Sequence, residues 1–239
     1  MKDNYEIYLD TETLDLPENL DGDILFELAF IVKNLRTNEI KKFQQYYAPE
    51  NVDNMCIEAM ERTSMTPELI KEKVQENTST VDIKVILTKL VQNPENILFI
   101  HNAKFDLEVL KRISIVPKCK VICTLRVANI INDQTHLQYK STRLSYLHYY
   151  YRNDLKIQAG DFHTADYDCL CLMELVNTWK EKVNLDMESA IKVTNNPINY
   201  IYCHFGKNRG LKWRDLSEGQ LRYFYELNDP DICYTIDNL

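Results

Sequence analysis

The chain has 239 residues, of which 45% are hydrophobic and 27% are charged, the composition of an ordinary globular protein. Its formal net charge of −8 argues against broad electrostatic attraction to nucleic acid over the whole surface. No apolar run is long enough to cross a bilayer, and the first residues lack the basic start and apolar core of a signal peptide. We therefore predict a cytoplasmic protein with no membrane partner.

Apolar runs and alternating patterns predict five strands, of which the first three precede any helix and the last two alternate with helices. This order favours an α/β fold with a mixed sheet covered by helices on both faces. The predicted strands are 5–10, 24–33, 39–47, 97–101 and 120–124. One predicted helix starts at Thr66-Pro67. A second follows Ser79-Thr80-Val81-Asp82, a segment that resembles a capping box. Further helices are predicted near 104–113, 125–132, 143–150 and 164–181.

The end of the chain departs from this pattern. Asn195-Asn196-Pro197 is the predicted linker, because proline and asparagine interrupt regular structure. Beyond it the sequence predicts a short strand over 200–203, a loop punctuated by glycines and two short helices. We predict a main domain of residues 1–184 and a small α+β annex of residues 197–239.

Two acidic residues stand at the end of the first apolar run, in the order Leu9-Asp10-Thr11-Glu12-Thr13. Side chains alternate along a strand, so Asp10 and Glu12 point to one face and Thr11 points to the other. Neighbouring carboxylates on a buried strand repel each other and resist desolvation. A divalent metal between them would stabilise the pair; the alternative is a solvated loop, since such triplets are common.

Two further segments add polar side chains next to apolar ones. His101-Asn102-Ala103-Lys104-Phe105-Asp106 follows the fourth predicted strand, and His163-Thr164-Ala165-Asp166-Tyr167-Asp168 opens a long helix. Periodicity alone does not separate Asp166 from Asp168 as the functional acid of that helix. The order DxE, HNAxFD and HxxxxD resembles the three exonuclease motifs of the DEDDh superfamily, which includes RNase T and the polymerase-proofreading nucleases.

This resemblance implies a ribonuclease H-like fold and 3′→5′ exonuclease activity with two Mg²⁺ (or Mn²⁺) ions. His163 would be the general base, a role that suits histidine because its ordinary pKa of about 6.5 lies near working pH. It follows Ala159-Gly160-Asp161, a segment from which a base could swing over the substrate. The family spacing from the histidine selects Asp168 over Asp166. The implied metal ligands are Asp10, Glu12, Asp106 and Asp168.

The resemblance also assigns residues around the substrate. Thr11 and Thr13 would lie near the 3′ nucleotide, and Leu14 would pack on its base or sugar. Asn102 would orient the backbone of the site, with substrate contact as the weaker alternative. Asp15 stands where relatives usually have a glycine, which leaves the shape of the 3′-end pocket open.

The tail carries a second resemblance. Phe205-Gly206-Lys207-Asn208-Arg209-Gly210, with Trp213 and Leu221-Arg222-Tyr223-Phe224, is similar to the small C-terminal domain of bacterial exodeoxyribonuclease X. Glycines allow close approach of a backbone, and basic side chains suit phosphate contact. The predicted phosphate contacts are Lys207, Arg209, Lys212 and Arg214. The alternative is a structural lid that packs on the nuclease core.

Together these observations predict a metal-dependent exonuclease that acts in DNA repair or end processing. Its partner would be DNA with a free 3′ end, single-stranded or frayed, and its products nucleoside 5′-monophosphates. The alternatives are the same chemistry on short RNA, as in RNase T or oligoribonuclease, and a polymerase proofreading subunit. A non-catalytic nucleic-acid-binding module is disfavoured because all five chemical positions are filled. The sequence makes no prediction of oligomeric state.

Overall fold

A computed structural model describes residues 3–77, 81–155 and 162–239. The strands of its single sheet are β1 (Tyr5–Thr13), β2 (Leu25–Asn34), β3 (Ile40–Tyr46), β4 (Ile97–Ile100) and β5 (Lys120–Cys123). Within the described residues they lie in the order β3-β2-β1-β4-β5. β1, β2 and β3 are antiparallel neighbours, whereas β4 and β5 run parallel to β1. The five predicted strands and the mixed, ribonuclease H-like sheet are confirmed.

Ten helices lie in the described part of the chain: α1 (Ile57–Thr63), α2 (Pro67–Glu76), α3 (Ile83–Val91), α4 (Ala103–Arg112), α5 (Thr124–Gln134), α6 (Leu144–Tyr150), α7 (Ala165–Lys182), α8 (Met187–Asn195), α9 (Glu218–Tyr225) and α10 (Pro230–Asp237). None of the helices that fall within the described residues is long and apolar enough to cross a membrane.

The helix start at Thr66-Pro67 is confirmed, because the Thr66 side chain accepts a hydrogen bond from the Leu69 N–H. The predicted capping box begins at Ser79 and Thr80, and the segment ahead of His163 covers 159–161; both lie outside the described residues. The sequence did not predict α8.

The sheet separates two apolar cores. Tyr8 of β1 belongs to the core under α5, α6 and α7, while Ile7 and Leu9 belong to the core under α3 and α4. This alternation follows the two-residue period of a strand, and it buries both faces of the sheet. As a result β1, the central strand, is fixed from both sides.

β1 extends beyond its parallel neighbour. Leu9 pairs with Ile100, the last residue of β4, so residues 10–13 have β2 on one side and, in the described part of the chain, no strand on the other. The register with β2 shifts between Glu12 and Thr13, which marks a local irregularity. The end of β1 therefore borders an opening between α4, which follows β4, and α7, which packs across β1 and β2.

The residues after α8 have a small core of their own, built on Trp213 and Phe224, against which Ile130 of α5 and Val193 of α8 pack. The strand predicted over 200–203 is wrong, because Tyr202 forms only an isolated bridge to Lys212. The N–H groups of Ile201 and Tyr202 donate instead to the Asp133 carboxylate, both at 2.9 Å. The division into domains 1–184 and 197–239 stays a prediction, and α8 lies between the two.

One arginine joins these residues to the sheet domain. Arg126 of α5 makes a two-pronged ion pair with Asp231 of α10, at 2.8 and 3.0 Å, and also donates to the Val193 and Asn196 carbonyls. Both charged side chains are mostly buried, so little water screens the pair. Arg126 therefore holds α5, the end of α8 and α10 in one arrangement.

We predict that Arg126→Ala lowers the free energy of unfolding by about 2–4 kcal/mol, because it leaves the Asp231 carboxylate and two carbonyls without their donor. Urea unfolding measures this loss, and limited proteolysis at 195–198 reports the loosened annex. The control is Arg214→Ala, since Arg214 is exposed and its nearest acid, Asp215, lies at 3.9 Å. Equal effects of the two variants would contradict the assigned role of Arg126.

Candidate active site

A cleft of about 840 Å³ opens at the end of β1. Its walls come from the end of β1, from α1, from the start of α4 and from the residues that begin α6 and precede α7. The cleft is lined by all five side chains that the family resemblance assigned to catalysis: Asp10, Glu12, Asp106, His163 and Asp168. Asp166, the competing acid, is exposed and lies outside the wall of this cleft.

Three carboxylates approach one another on the α7 side of the sheet. Asp10 and Glu12 share one face of β1, as the alternation predicted, and Asp168 joins them from the first turn of α7. Desolvation, followed by the charges of the neighbouring carboxylates, raises the pKa of Asp10 and of Glu12 well above its ordinary value. Desolvation likewise raises the pKa of Asp168 to about 7.

Asp106 reaches the cleft from the first turn of α4. Its side chain is buried, and the hydroxyl of Thr11, on the opposite face of β1 from Asp10, donates to its Oδ1 at 2.7 Å. Desolvation raises the pKa of Asp106 to about 7. Asn102, just before α4, has a left-handed φ of 66°, a conformation that asparagine tolerates better than most residues. This tight turn starts α4 directly after β4 and brings Asp106 back to β1.

His163 stands at the mouth of the cleft. Its side chain is exposed, while its backbone N–H donates to Asp168 Oδ2 at 3.2 Å. Its φ of 70° is left-handed, which is uncommon outside glycine and marks a sharp bend just before α7. Partial burial, and then the charge of Arg62, lower the pKa of His163. At neutral pH the ring is therefore in its proton-accepting form.

The donor set fits a divalent cation. One ligand atom each from Glu12, His163 and Asp168 lie within 4.8 Å of one another. Asp168 Oδ1 is buried and has no hydrogen-bond partner among the described residues, which is costly for a carboxylate oxygen. Carboxylate oxygens are the ligands that Mg²⁺ and Mn²⁺ prefer. A cation at this place would satisfy the orphaned oxygen and offset the repulsion among the acids.

The predicted substrate contacts separate into two groups. Thr11, Thr13 and Asn102 line the cleft. Leu14 does not: its side chain is fully buried in a cluster with Phe26, so the expected contact with a base or sugar is corrected. Leu14 follows the register shift at the end of β1, and its side chain packs into the core.

The cations of the tail lie away from the acids. None of Lys207, Arg209, Lys212 and Arg214, all within the described residues, lines the cleft. The Arg209 guanidinium donates to the backbone carbonyls of Tyr139 and His204, which gives it a structural role at the surface of the sheet domain. Contact of these four side chains with nucleic acid stays a prediction.

Two arginines that the sequence analysis did not single out do line the cleft. Arg62 lies in the last turn of α1, and Arg143 lies just ahead of α6; both are exposed. Neither side chain has an ion pair or hydrogen bond with another described residue. The positive charge of Arg62 contributes to the lowered pKa of His163 and opposes the rise in the pKa of Glu12. Single arginines in short polar segments carry no sequence signal, and only the fold brings them to the acids.

Asp15 also lines the cleft. Its Oδ1 accepts hydrogen bonds from the Leu16 N–H at 2.7 Å and from the Asn19 amide at 3.0 Å. Thr13 donates its hydroxyl to the Asp15 carbonyl at 2.8 Å. The side chain thus orders the turn after β1 and adds a carboxylate to that side of the cleft.

Comparison with known proteins places this geometry in a family. Residues 7–176 match the exonuclease family model of RNase T type. No curated protein sequence matches the chain. Among solved structures, exonuclease I from Methylocaldum szegediense has a TM-score of 0.60 at 15% identity, over 81% of this chain and 44% of that one.

Two other solved structures have a similar fold. Cell-death related nuclease 4 gives a TM-score of 0.51 at 14% identity, over 74% of this chain and 64% of that one. The nuclease domain of 3′hExo, a DEDDh family member bound to rAMP, gives 0.50 at 16% identity, over 77% and 96%. The chain thus spans less than two thirds of the first two proteins, and at these identities the likeness concerns the fold.

The raised carboxylate pKa values predict how the metal-free protein responds to pH. In the unfolded chain Asp168 loses its proton near pH 4, whereas in the folded protein it does so near pH 7, so folded stability falls as pH rises between these values. Asp168→Asn removes this loss. We expect the variant, measured by thermal unfolding in EDTA, to be more stable than the wild type at pH 8 and to lose that advantage progressively as the pH falls towards 4.

Added Mg²⁺ should stabilise the wild type at pH 8 and should stabilise Asp168→Asn much less. The matched control is Asp166→Asn, which changes an exposed acid two residues away. A stability difference between Asp168→Asn and the wild type that is constant with pH would contradict the prediction.

Proposed function

This chain belongs to the exonuclease family whose model spans residues 7–176, and from that premise we propose that it is a divalent-metal-dependent 3′→5′ exonuclease that shortens DNA from a free 3′ end. One observation carries the proposal. Four carboxylates with raised or strongly raised pKa values converge on one open cleft beside an exposed, proton-accepting histidine. Such a cluster destabilises a fold unless cations and substrate offset it, so it points to function.

The acids would hold two Mg²⁺ or Mn²⁺ ions: Asp10, Glu12, Asp106 and Asp168. Bound ions of this kind lower the pKa of water and offset the charge of a phosphodiester during its hydrolysis. The hydrogen bonds that Asp106 and Asp168 accept, from the Thr11 hydroxyl and the His163 N–H, fix two of the four carboxylates. The protein thus supplies a preorganised set of oxygen ligands.

His163 would take the proton from the attacking water. Its exposed ring stands at the cleft mouth next to the substrate space, and its lowered pKa keeps it unprotonated at neutral pH. Backbone contact with Asp168 ties the base to the acid cluster. We assign His163 to proton transfer and not to metal binding, although its ring lies within 4.8 Å of carboxylate oxygens of Glu12 and Asp168.

The nucleotide would lie between the end of β1 and the two arginines. Thr13 and Asn102 line the floor beside the acids, where a terminal sugar would sit. Arg62 and Arg143 lack protein partners among the described residues and suit phosphate contact, which requires charge and planar donors. Water would attack the terminal phosphodiester, and the bond between phosphorus and the 3′ oxygen of the penultimate nucleotide would break. The phosphate would stay on the 5′ oxygen of the terminal nucleotide, so the products would be nucleoside 5′-monophosphates and a strand with a new 3′-hydroxyl.

DNA is proposed over RNA because the tail resembles the C-terminal domain of exodeoxyribonuclease X, and we propose that residues 197–239 form the corresponding annex in a repair or end-processing enzyme. The second candidate is an exoribonuclease. It is favoured by the structural neighbour 3′hExo, which is described as bound to rAMP. A proofreading subunit would share the same chemistry. The filled catalytic positions disfavour an inactive binding module.

We predict that Asp10→Asn reduces turnover of a single-stranded oligomer by more than about 1000-fold, since it removes a central ligand charge. His163→Ala should lower turnover roughly 100- to 10,000-fold, the range of a lost general base. Both are measured on a 5′-labelled strand with Mg²⁺, and EDTA should stop the wild type. Asp166→Asn is the control and should keep normal activity. Undiminished turnover in Asp10→Asn would remove the mechanism.

Sugar preference and polarity have their own test. Matched DNA and RNA oligomers, each with a free or a phosphate-blocked 3′ end, are digested in parallel with Mg²⁺, and the products are separated by chromatography. The expected result is faster hydrolysis of DNA, 5′-mononucleotide products and resistance of the blocked end. Faster hydrolysis of RNA would transfer the proposal to the second candidate.

A further inference from the structure

The two sides of the cleft differ in charge. On the α1 side, Asp15 and Glu58 line the wall in addition to Arg62. On the α6 side the described residues of the wall are Arg143, Leu144 and Ser145, none of which is acidic. The sequence from 134 to 153 contains no Asp or Glu and carries three cations of the Lys and Arg type. A polyphosphate strand that leaves the cleft is therefore attracted more strongly to the second side than to the first, where two acids oppose the charge of Arg62.

The wall continues outward along α6. Ser145 and Tyr149 are four residues apart in the helix, so they lie on the same face, about one turn from each other. Since Ser145 lines the cleft, the Tyr149 ring extends that wall beyond the rim. The Tyr149 side chain is 50% exposed, although large aromatic rings usually bury most of their surface.

A second ring connects Tyr149 to the reacting groups. Phe162 lines the cleft directly ahead of His163, and its centroid lies 5.9 Å from that of Tyr149. His148, on the buried side of α6, contacts the same Phe162 ring at 5.2 Å and fixes it in place. Arg143, Ser145, Phe162 and Tyr149 thus form a strip, hereafter the α6 strip, that leads from the acids to the surface.

Rings that are exposed beside a cation are suited to unpaired nucleotides. Bases of a single strand stack on aromatic side chains whatever their identity, while arginine contacts the backbone phosphates. Bases inside a duplex already stack on each other and cannot reach such a ring. We propose that the α6 strip binds unpaired nucleotides further 5′ than the two at the 3′ end, with a base stacked on Tyr149 beyond the rim and a backbone phosphate on Arg143. This inference rests on the proposed exonuclease function.

The test compares a DNA dinucleotide, too short to reach Tyr149, with a single strand of ~12 nucleotides, within the usual length of such binding sites. Variants are Tyr149→Ala, Tyr149→Phe, and Tyr223→Ala as a control ring that is 61% exposed on α9. We expect Tyr149→Ala to raise KM for the long strand roughly five- to tenfold, the usual effect of one lost stack, with kcat unchanged. Tyr149→Phe and Tyr223→Ala should behave as the wild type, and the dinucleotide should not distinguish any of them.

Two results would overturn the proposal, and a third would separate it from the proposed function. An unchanged KM in Tyr149→Ala overturns the proposal. A similar loss on both substrates also overturns it, because the ring would then only support Phe162 and His163. If the wild type cleaves neither DNA nor a matched RNA, the proposed function fails. The α6 strip is then tested separately, by measuring the affinity of the variants for the long strand by fluorescence anisotropy in EDTA. Weaker binding by Tyr149→Ala alone would then support the strip, and equal binding would reject it.

Discussion

Mutual repulsion among carboxylates at the end of one strand is the constraint on which the rest of this structure depends. Asp10 and Glu12 cannot move apart, because β1 is held by strands on both sides up to Leu9 and by apolar cores on both faces. The helices that bring Asp106 and Asp168 to the same place are equally fixed. The fold therefore keeps like charges together in an environment that favours their protonation, and a bound cation would offset the repulsion that folding creates.

The same rigidity explains how distant segments meet. β4 ends where the acids begin, so the chain turns at Asn102 and sends α4 back along the sheet with Asp106 in its first turn. α7 crosses the other face and begins with a left-handed residue, His163, that bends the chain toward Asp168. Both turns use a positive φ just before a helix. Thus the geometry of the acid cluster is set by where a strand stops and how tightly the next helix starts.

The five strands and the acid cluster could be predicted from the sequence. Alternating and continuous apolar runs located all five strands, since burial on one or two faces leaves a clear period. The order of the three motifs located the acid cluster, and the alternation of Asp10, Thr11 and Glu12 matched the faces observed. Asp166 and Asp168 could not be separated by period, because α7 is apolar on several sides; burial against the sheet separates them.

The features that were predicted wrongly or not predicted depend on tertiary contacts, which leave no local pattern in the sequence. α8 is short and buries mainly Ala190, so its amphipathic signal is weak. The residues 200–203 alternate like a strand, yet two of their N–H groups bond to Asp133 of α5. Leu14 follows the motif but turns into the core. Arg62 and Arg143 become neighbours of the acids only through the fold.

The extension of β1 past β4 divides the cleft into a floor made by the sheet and rims made by connecting segments. The floor cannot change without breaking two cores, whereas the turn after Thr13 and the segment ahead of α6 contain no strand of the sheet. Insertions or substitutions in these rims would alter which polymers enter the cleft and how tightly they bind, while the acid cluster stays the same. Such a division allows related proteins to diverge in substrate specificity while the same reaction chemistry is retained.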